Sequence, residues 1–270
     1  MALHTVFVLL AAFVMLGNVT PAHADVVQCG DVLGPGGRFT LEQDILCVPS
    51  GDFSTPGVTV QDGAILDLNG HTIDCRGRNG CVLLTGTGAK LLNGKVQNAQ
   101  FEGIRVEGTG RHTVRNVTSV FVELSVSVTS DHNILIDVVA DSGLSSRFAI
   151  GGHHNWLINS TALCDLFGDS CIRVEGDGNH LIGNVVTVGP DHTGIEISGD
   201  NNAVERNRVV WIVDSGTSHP AINVTGTGNR IMHNTAITEG ATDLVDGNGD
   251  CARNTWRHNI FVSADPACIR

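Results

Sequence analysis

The sequence predicts an all-β fold, a single right-handed parallel β-helix (solenoid) of about nine coils with disulfide-stapled ends. Three observations predict it: a repeated line of strand residues and glycine-rich turns, an asparagine that recurs once per repeat, and the composition. The 270 residues include 33 glycines, no tyrosine and only 16% charged residues. Such a composition is typical of a chain with many tight turns and few helices.

The repeated line has the same three parts in every copy. A short alternating strand leads into a glycine-rich turn, a second strand follows, and an asparagine precedes a third strand rich in β-branched residues. Copies begin at Gly103, Cys171, Gly194 and Ala221 and read GIRVEGTGRHTVRNVTSV, CIRVEGDGNHLIGNVVTV, GIEISGDNNAVERNRVVW and AINVTGTGNRIMHNTAIT. Alternation with period two predicts strands, and a fixed repeat of this length indicates a solenoid.

The recurring asparagine predicts an internal column of side chains. Equivalent residues of stacked coils lie about 4.8 Å apart, so each amide group can donate to one neighbour and accept from the other. The residues expected in this Asn ladder are Asn69, Asn93, Asn116, Asp137, Asn159, Asn184, Asn207, Asn234 and Asn259.

Three asparagines also lie in N-x-[ST] sequons. Asn116 and Asn159 belong to the expected ladder and should point inward, which argues against their glycosylation. Asn223 lies on the first strand of its coil and is the sequon expected to face solvent.

The chain begins with an expected signal peptide, residues 1–24. The apolar run from Val6 to Leu16 is followed by the small-residue site at Ala22 and Ala24, with cleavage before Asp25. A retained anchor is the alternative. Residues 25–50 are then expected to form an N-terminal cap and residues 51–270 the β-helix with its C-terminal cap, in a secreted or periplasmic protein without a membrane span.

All eight cysteines lie after the expected cleavage site. An even number of cysteines in an exported chain favours disulfides over metal thiolates. Proximity in sequence suggests four pairs: Cys29 with Cys47, Cys75 with Cys81, Cys164 with Cys171, and Cys251 with Cys268.

The formal net charge of −12 limits the partners. A field of this sign repels nucleic acids and anionic membrane surfaces, so neither is expected as a main partner. A monomer is expected, and a polysaccharide remains as a candidate partner.

The line GVTVQDGAILDLNGHTID from Gly57 resembles the first coil of bacterial right-handed parallel β-helix repeat proteins of the pectate-lyase-like superfamily. The asparagine column is similar to that family's second turn, and the resemblance covers nearly the whole mature chain. It implies a ligand groove along the outer face of the first strands, flanked by the third turn. The superfamily includes lyases, hydrolases, epimerases and proteins without known chemistry, so the resemblance implies a fold and no single reaction.

Outward residues of the first strands and third turns are the candidate site. Acid/base cleavage of a glycosidic bond needs two carboxylates, whereas β-elimination needs a base and a cation beside a uronate. The catalytic candidates are Arg173, Asp169, Glu175, Glu196 and His192, and the substrate-binding candidates are Arg147, Asp165, Arg105 and Asn223.

Two short lines resemble polygalacturonase motifs. GDSCIRV from Gly168 is similar to that family's Asp-Asp-Cys segment and PDHTGIEIS from Pro190 to its Gly-His-Gly segment, which implies a catalytic role for Asp169 and a supporting one for His192. The match is incomplete, because Ser170 replaces the second aspartate and Met232 replaces a lysine. Whether the chain is an enzyme therefore stays open, with a polysaccharide lyase or glycoside hydrolase as the expected class.

The sequence assigns no cofactor, and calcium is the one candidate that it leaves open. Asp165, Asp169, Glu175 and Glu196 offer the oxygen ligands that Ca²⁺ prefers. The sequence thus predicts a secreted protein that binds or acts on a carbohydrate polymer. The alternative is a non-catalytic rod used for structure or surface attachment.

Overall fold

The structure, a computed structural model, describes residues 26–48, 54–120, 123–141, 146–164, 170–189, 192–211, 219–238 and 241–269. Across these ranges the chain is an all-β parallel solenoid that contains strands and turns and no helix. Nine coils contain all three strand segments, and two partial coils follow them. No helix in the described ranges is long and apolar enough to cross a membrane.

The first strands of successive coils form one eleven-stranded parallel sheet, here called the first sheet. Its members in spatial order are β1 (Val32–Leu33), β4 (Val58–Gln61), β7 (Gly80–Thr85), β9 (Glu102–Val106), β11 (Leu124–Val128), β14 (Phe148–Ile150), β17 (Ser170–Val174), β20 (Thr193–Ile197), β23 (Ile222–Val224), β26 (Leu244–Asp246) and β28 (Ala264–Asp265).

The second and third strands form the other two faces. The second strands are β2 (Arg38–Thr40), β5 (Ile65–Asp67), β12 (Ile134–Ile136), β15 (Trp156–Ile158), β18 (His180–Ile182), β21 (Ala203–Glu205), β24 (Arg230–Met232) and β27 (Thr255–Arg257). The third strands are β3 (Ile45–Leu46), β6 (Thr72–Asp74), β13 (Val139–Asp141), β16 (Thr161–Cys164), β19 (Val185–Val188), β22 (Arg208–Trp211) and β25 (Thr235–Ile237). In two coils a single long strand covers both faces: β8 (Lys90–Gln97) and β10 (Thr113–Val120).

The core is built from columns of identical positions. Because every pairing is parallel and in register, each inward residue lies over its equivalent in the next coil, as Phe148 lies over Ile172 and Ile172 over Ile195. All three side chains are fully buried. Each contributes roughly 1.5 to 3 kcal/mol by leaving water, so the stacked apolar columns hold adjacent coils together.

Disulfides join the four suggested cysteine pairs. Cys29–Cys47 and Cys251–Cys268 lie at the two ends of the rod, which confirms the stapled ends. The segment expected as an N-terminal cap contributes β1, β2 and β3, and these pair with β4, β5 and β6. This segment therefore forms the first coil.

The second-turn Asn ladder is confirmed in the C-terminal half of the rod. The side-chain amide of Asn184 donates to Oδ1 of Asn207 at 2.9 Å, Asn207 donates to Asn234 at 3.0 Å, and Asn234 donates to Asn259 at 3.0 Å. Each amide also donates to a backbone carbonyl, as Asn184 does to Leu157 O at 2.9 Å. Buried amide groups are therefore satisfied on both sides.

In the N-terminal half the expected membership is wrong by one position. Asn116, Asp137 and Asn159 are exposed and have φ of 54°, 54° and 48°. In each of these coils the buried position is the next residue in the sequence. In the coil that precedes Asn184 this residue is Ser160, whose backbone N–H donates to Oδ1 of Asn184 at 2.8 Å. Asparagine suits both places, because it tolerates positive φ and can also fill a buried rung.

The shift also overturns the expectation that two sequons point inward. Asn116 and Asn159 lie on the outside of the turn, where the side-chain amide of Asn116 donates to Oδ1 of Asn93 at 3.2 Å. Burial therefore gives no argument against glycosylation at either asparagine.

A second ladder, which the sequence analysis missed, lies at the first turn. Its buried members are Asn133, Asn155, Asn179, Asn202, Asn229 and Asn254. The backbone N–H of each of the first five donates to Oδ1 of the next, at 2.7 to 2.9 Å. His112 replaces asparagine at the N-terminal end, since its own N–H donates to Asn133 at 2.8 Å and its Nδ1 accepts from Ala89 N at 3.1 Å.

The same substitution, asparagine to aspartate, is expected to have different effects at a buried ladder position and at an exposed turn position. Asn184→Asp removes the donors to Leu157 and Asn207, and leaving buried acceptors unpaired costs roughly 1 to 3 kcal/mol. We expect a fall of that size in the free energy of unfolding, measured by thermal or urea denaturation. Asn159→Asp, at the exposed position, should change it by less than about 0.5 kcal/mol; equal losses would contradict the observed register.

His112 should make stability depend on pH. Burial lowers the pKa of His112 below its ordinary value of 6.5, opposed by the hydrogen bond between its Nε2 and Glu107 O. As pH falls below 6.5 the unfolded chain takes up a proton that the folded protein resists, so stability is present above 6.5 and falls toward the folded-state pKa. Urea unfolding from pH 7.5 to 5 should show this loss. His112→Asn, which keeps an acceptor, should have a smaller slope, and an unchanged slope would refute a buried neutral His112.

Candidate functional site

The outer face of the first sheet brings the first-strand candidates into one column. Register places the outward residues next to one another in the order Arg105, Ser127, Ala149, Arg173, Glu196 and Asn223. The pleat sends these residues outward because their neighbours on either side in sequence are core residues. Four residues singled out in the sequence, on β9, β17, β20 and β23, therefore share one stripe.

The centre of this stripe is a cluster of one cation and two carboxylates, here called the Arg173 cluster (Ser170, Arg173, Glu175 and Glu196). Arg173 Nη2 lies 2.6 Å from Glu175 Oε1, and both side chains are about half exposed. Ser170 Oγ donates to Glu196 Oε2 at 2.5 Å. Glu196 is the register partner of Arg173 on the next strand, so these two residues occupy adjacent outward positions of the stripe.

A second arginine occupies the same column three coils toward the N-terminus. Arg105 pairs with Glu102 at 3.4 Å and with Glu107 at 3.2 Å. It lines a pocket of about 190 Å³ together with Asn79, Leu83 and the exposed ring of Phe101. Phe101 and Glu102 were missed from the sequence because they lie at the entry to β9, outside the alternating positions that were compared.

Two third-turn candidates lie inside the rod. Arg147 is fully buried, and its Nε donates to Leu163 O at 2.7 Å. His192 is also fully buried, and one of its ring nitrogens lies within 4.8 Å of the sulfurs of Cys164 and Cys171. Neither side chain is on the outer face, where the sequence analysis expected it, because both residues are at the corner where the chain enters the first strand.

The expected calcium ligands are only partly described. Asp165 and Asp169 lie outside the described residues, which leaves Glu175 and Glu196 of that set. Among the described residues one group of three, Cys164, Cys171 and His192, is compact enough to hold a metal ion. A disulfide joins its two cysteines, and a disulfide lacks the thiolates that ligate metals.

The second-strand face carries a different set of side chains. Trp156 stacks on His180 with ring centroids 4.0 Å apart. Arg230 pairs with Glu205 at 3.0 Å and is more than half exposed. This face thus contains an outward Arg–Glu pair like that of Arg173, on a part of the surface that the sequence analysis does not associate with ligand binding.

No protein-family model matches the sequence, and no curated protein does. Solved structures do resemble it. The DFA-IIIase of Arthrobacter chlorophenolicus A6 without its lid has a TM-score of 0.52 at 13% identity, with 87% of this chain and 71% of that chain covered. A variant of the periplasmic alginate epimerase AlgG has a TM-score of 0.62 at 9% identity, with 84% of this chain and 61% of that chain covered.

These similarities concern the fold. The same DFA-IIIase in complex with DFA-III has a TM-score of 0.54 at 14% identity, with 84% of this chain and 72% of that chain covered. The parallel β-helix fold that the sequence predicts is therefore confirmed. At such low identity the reaction has to be argued from this chain's own side chains.

Proposed function

We propose that this chain is an exported protein that binds a carbohydrate polymer along the outer face of the first sheet and acts on it at the Arg173 cluster. The observation that carries this proposal is the aligned stripe with Arg105 and Asn223 on either side of that cluster. Four disulfides support export, since such bonds form in oxidising compartments. The similar structures named above include a DFA-IIIase and an alginate epimerase.

The Arg173 cluster has the groups that sugar chemistry needs. The guanidinium donates several hydrogen bonds in one plane, and it lies beside two carboxylates, those of Glu175 and Glu196. Ser170 fixes Glu196 by its short hydrogen bond, so we assign Glu196 as the acid/base group and Arg173 as the group that orients the sugar. Glu175 holds Arg173 in position.

The remaining candidates take subordinate parts in this proposal. Arg105 and Asn223 are substrate-binding residues at the two ends of the stripe. His192 and Arg147 are buried behind the strand entry, and we assign them positioning roles. Catalysis or binding by Asp165 and Asp169, and calcium binding with Glu175 and Glu196, stay predictions.

Replacing Arg173 tests the site directly. Arg173→Ala should weaken glycan binding at least tenfold and abolish any product formation, because it removes the orienting cation without opening the core. Binding to a panel of glycans is measured by calorimetry or affinity electrophoresis, and products are measured as new reducing ends and as ultraviolet absorbance of unsaturated ends.

The matched control is Arg230→Ala, which breaks an Arg–Glu pair of similar geometry on the second-strand face. It should leave binding unchanged, and both variants should melt like the parent. If Arg173→Ala and Arg230→Ala behave alike in every glycan assay, the site is misplaced. If the parent protein binds no glycan, the non-catalytic rod becomes the better account.

A further inference from the structure

The arginines of the stripe are already neutralised by carboxylates of the same protein. Arg105 pairs with Glu102 and Glu107. Arg173 pairs with Glu175 and has Glu196 beside it on the next strand. Each arginine thus has two glutamates around it, and each of the two groups carries a formal net charge of −1.

The negative charge of the two arginine groups favours a neutral glycan over a charged one. A polyuronate brings one carboxylate per sugar into a face that is already negative on a protein with net charge −12, and like charges placed together across an interface cost several kcal/mol. A neutral sugar meets no such cost. Its hydroxyls can donate to the glutamate oxygens and accept from the guanidinium N–H groups at the same time.

The two arginine groups are built alike. The line IRVEG occurs at residues 104–108 and again at 172–176, and in both copies the arginine forms an ion pair with the glutamate two residues later. Three coil steps separate Arg105 from Arg173 in the column, which is a distance of about 14 Å. A single extended ligand along the rod axis can therefore contact both groups.

Among the described residues, the first-strand positions between the two groups carry small side chains. The column positions between the arginines are Ser127 and Ala149, and the next outward positions are Thr129 and Gly151. At the N-terminal end, the exposed ring of Phe101 in the Arg105 pocket offers an apolar face of the kind that packs against the C–H face of a sugar. The stripe therefore has small side chains in its middle part and polar groups that can contact a ligand at its two arginine groups.

From these observations we infer that the ligand of the stripe is a neutral, hydroxyl-rich glycan rather than a polyuronate, and that it lies along the rod axis in contact with both Arg–Glu groups. This inference rests on the proposed function and names its substrate class.

The test compares neutral glycans with polyuronates on the whole mature protein. Neutral fructans, glucans and galactans, and the polyuronates alginate and polygalacturonate, are titrated by calorimetry at low and high salt, with calcium or with a chelator. We expect a neutral glycan to bind at least tenfold more tightly than either polyuronate, with an affinity that changes less than twofold with salt. Tighter, salt-sensitive polyuronate binding would overturn the inference but not the proposed function. Absence of binding to every glycan would overturn both.

Removing one carboxylate from the Arg173 cluster should weaken the binding of a neutral glycan and strengthen the binding of an anionic one. Glu175→Gln, at an exposed position, should weaken binding of the neutral glycan several-fold because an acceptor and the partner of Arg173 are lost. If the ligand is anionic, the same change removes a repulsive charge and strengthens binding. Glu205→Gln, in the Arg–Glu pair on the second-strand face, is the matched control and should have no effect.

Discussion

The structure depends on one constraint, the exact superposition of equivalent residues in successive coils. Parallel strand pairing alone is compatible with more than one register of neighbouring coils. The buried polar side chains at the turns allow only one. Asn184 and Asn207 in one column, and Asn179 and Asn202 in the other, each need a partner directly above or below. A slip by one residue would take the donating N–H groups away from the buried side-chain oxygens of these residues, so the two ladders fix the register that the apolar core by itself permits to vary.

The candidate site is a consequence of that register. Arg173 and Glu196 are 23 positions apart in the chain and become neighbours because their coils stack without offset. The same register aligns Arg105 with Arg173 across two intervening coils. A rigid sheet therefore presents polar groups at fixed intervals along an axis, and this geometry suits a polymer better than a small compact ligand.

The fold could be predicted from sequence because a repeat reports the same environment many times. Alternation in lines such as Ile172, Arg173 and Val174 identified the inner and outer faces correctly. The ladder was harder, because Asn159 in an exposed positive-φ turn and Asn184 in a buried rung are the same residue type one position apart in the coil. Because both positions recur at nearly the same spacing, the sequence analysis assigned exposed and buried asparagines to a single ladder. The first-turn ladder was missed although Asn133, Asn155 and Asn179 recur as regularly, because asparagine is equally typical of exposed glycine-rich turns.

The site was less predictable than the fold, because the turns do not follow the repeat. Arg147 and His192 were expected on the surface from their turn positions, yet a corner residue can point either way and only packing decides. The carboxylates around each arginine also need coordinates, since Glu102 reaches Arg105 by local conformation and Glu196 comes next to Arg173 by the stacking of coils. Charge at the site therefore differs from the charge that the arginines alone suggest.

Amide hydrogen exchange measured by NMR tests the central claim most directly. If side chains from successive coils lie over one another, the backbone N–H groups of Asn179, Asn184, Asn202 and Asn207 donate to the amide oxygens of the next coil. They should then exchange as slowly as the core strand amides of Ile172 and Ile195, through global unfolding alone. Exchange at the fast rates of ordinary exposed turns would contradict the ladders and the register built on them.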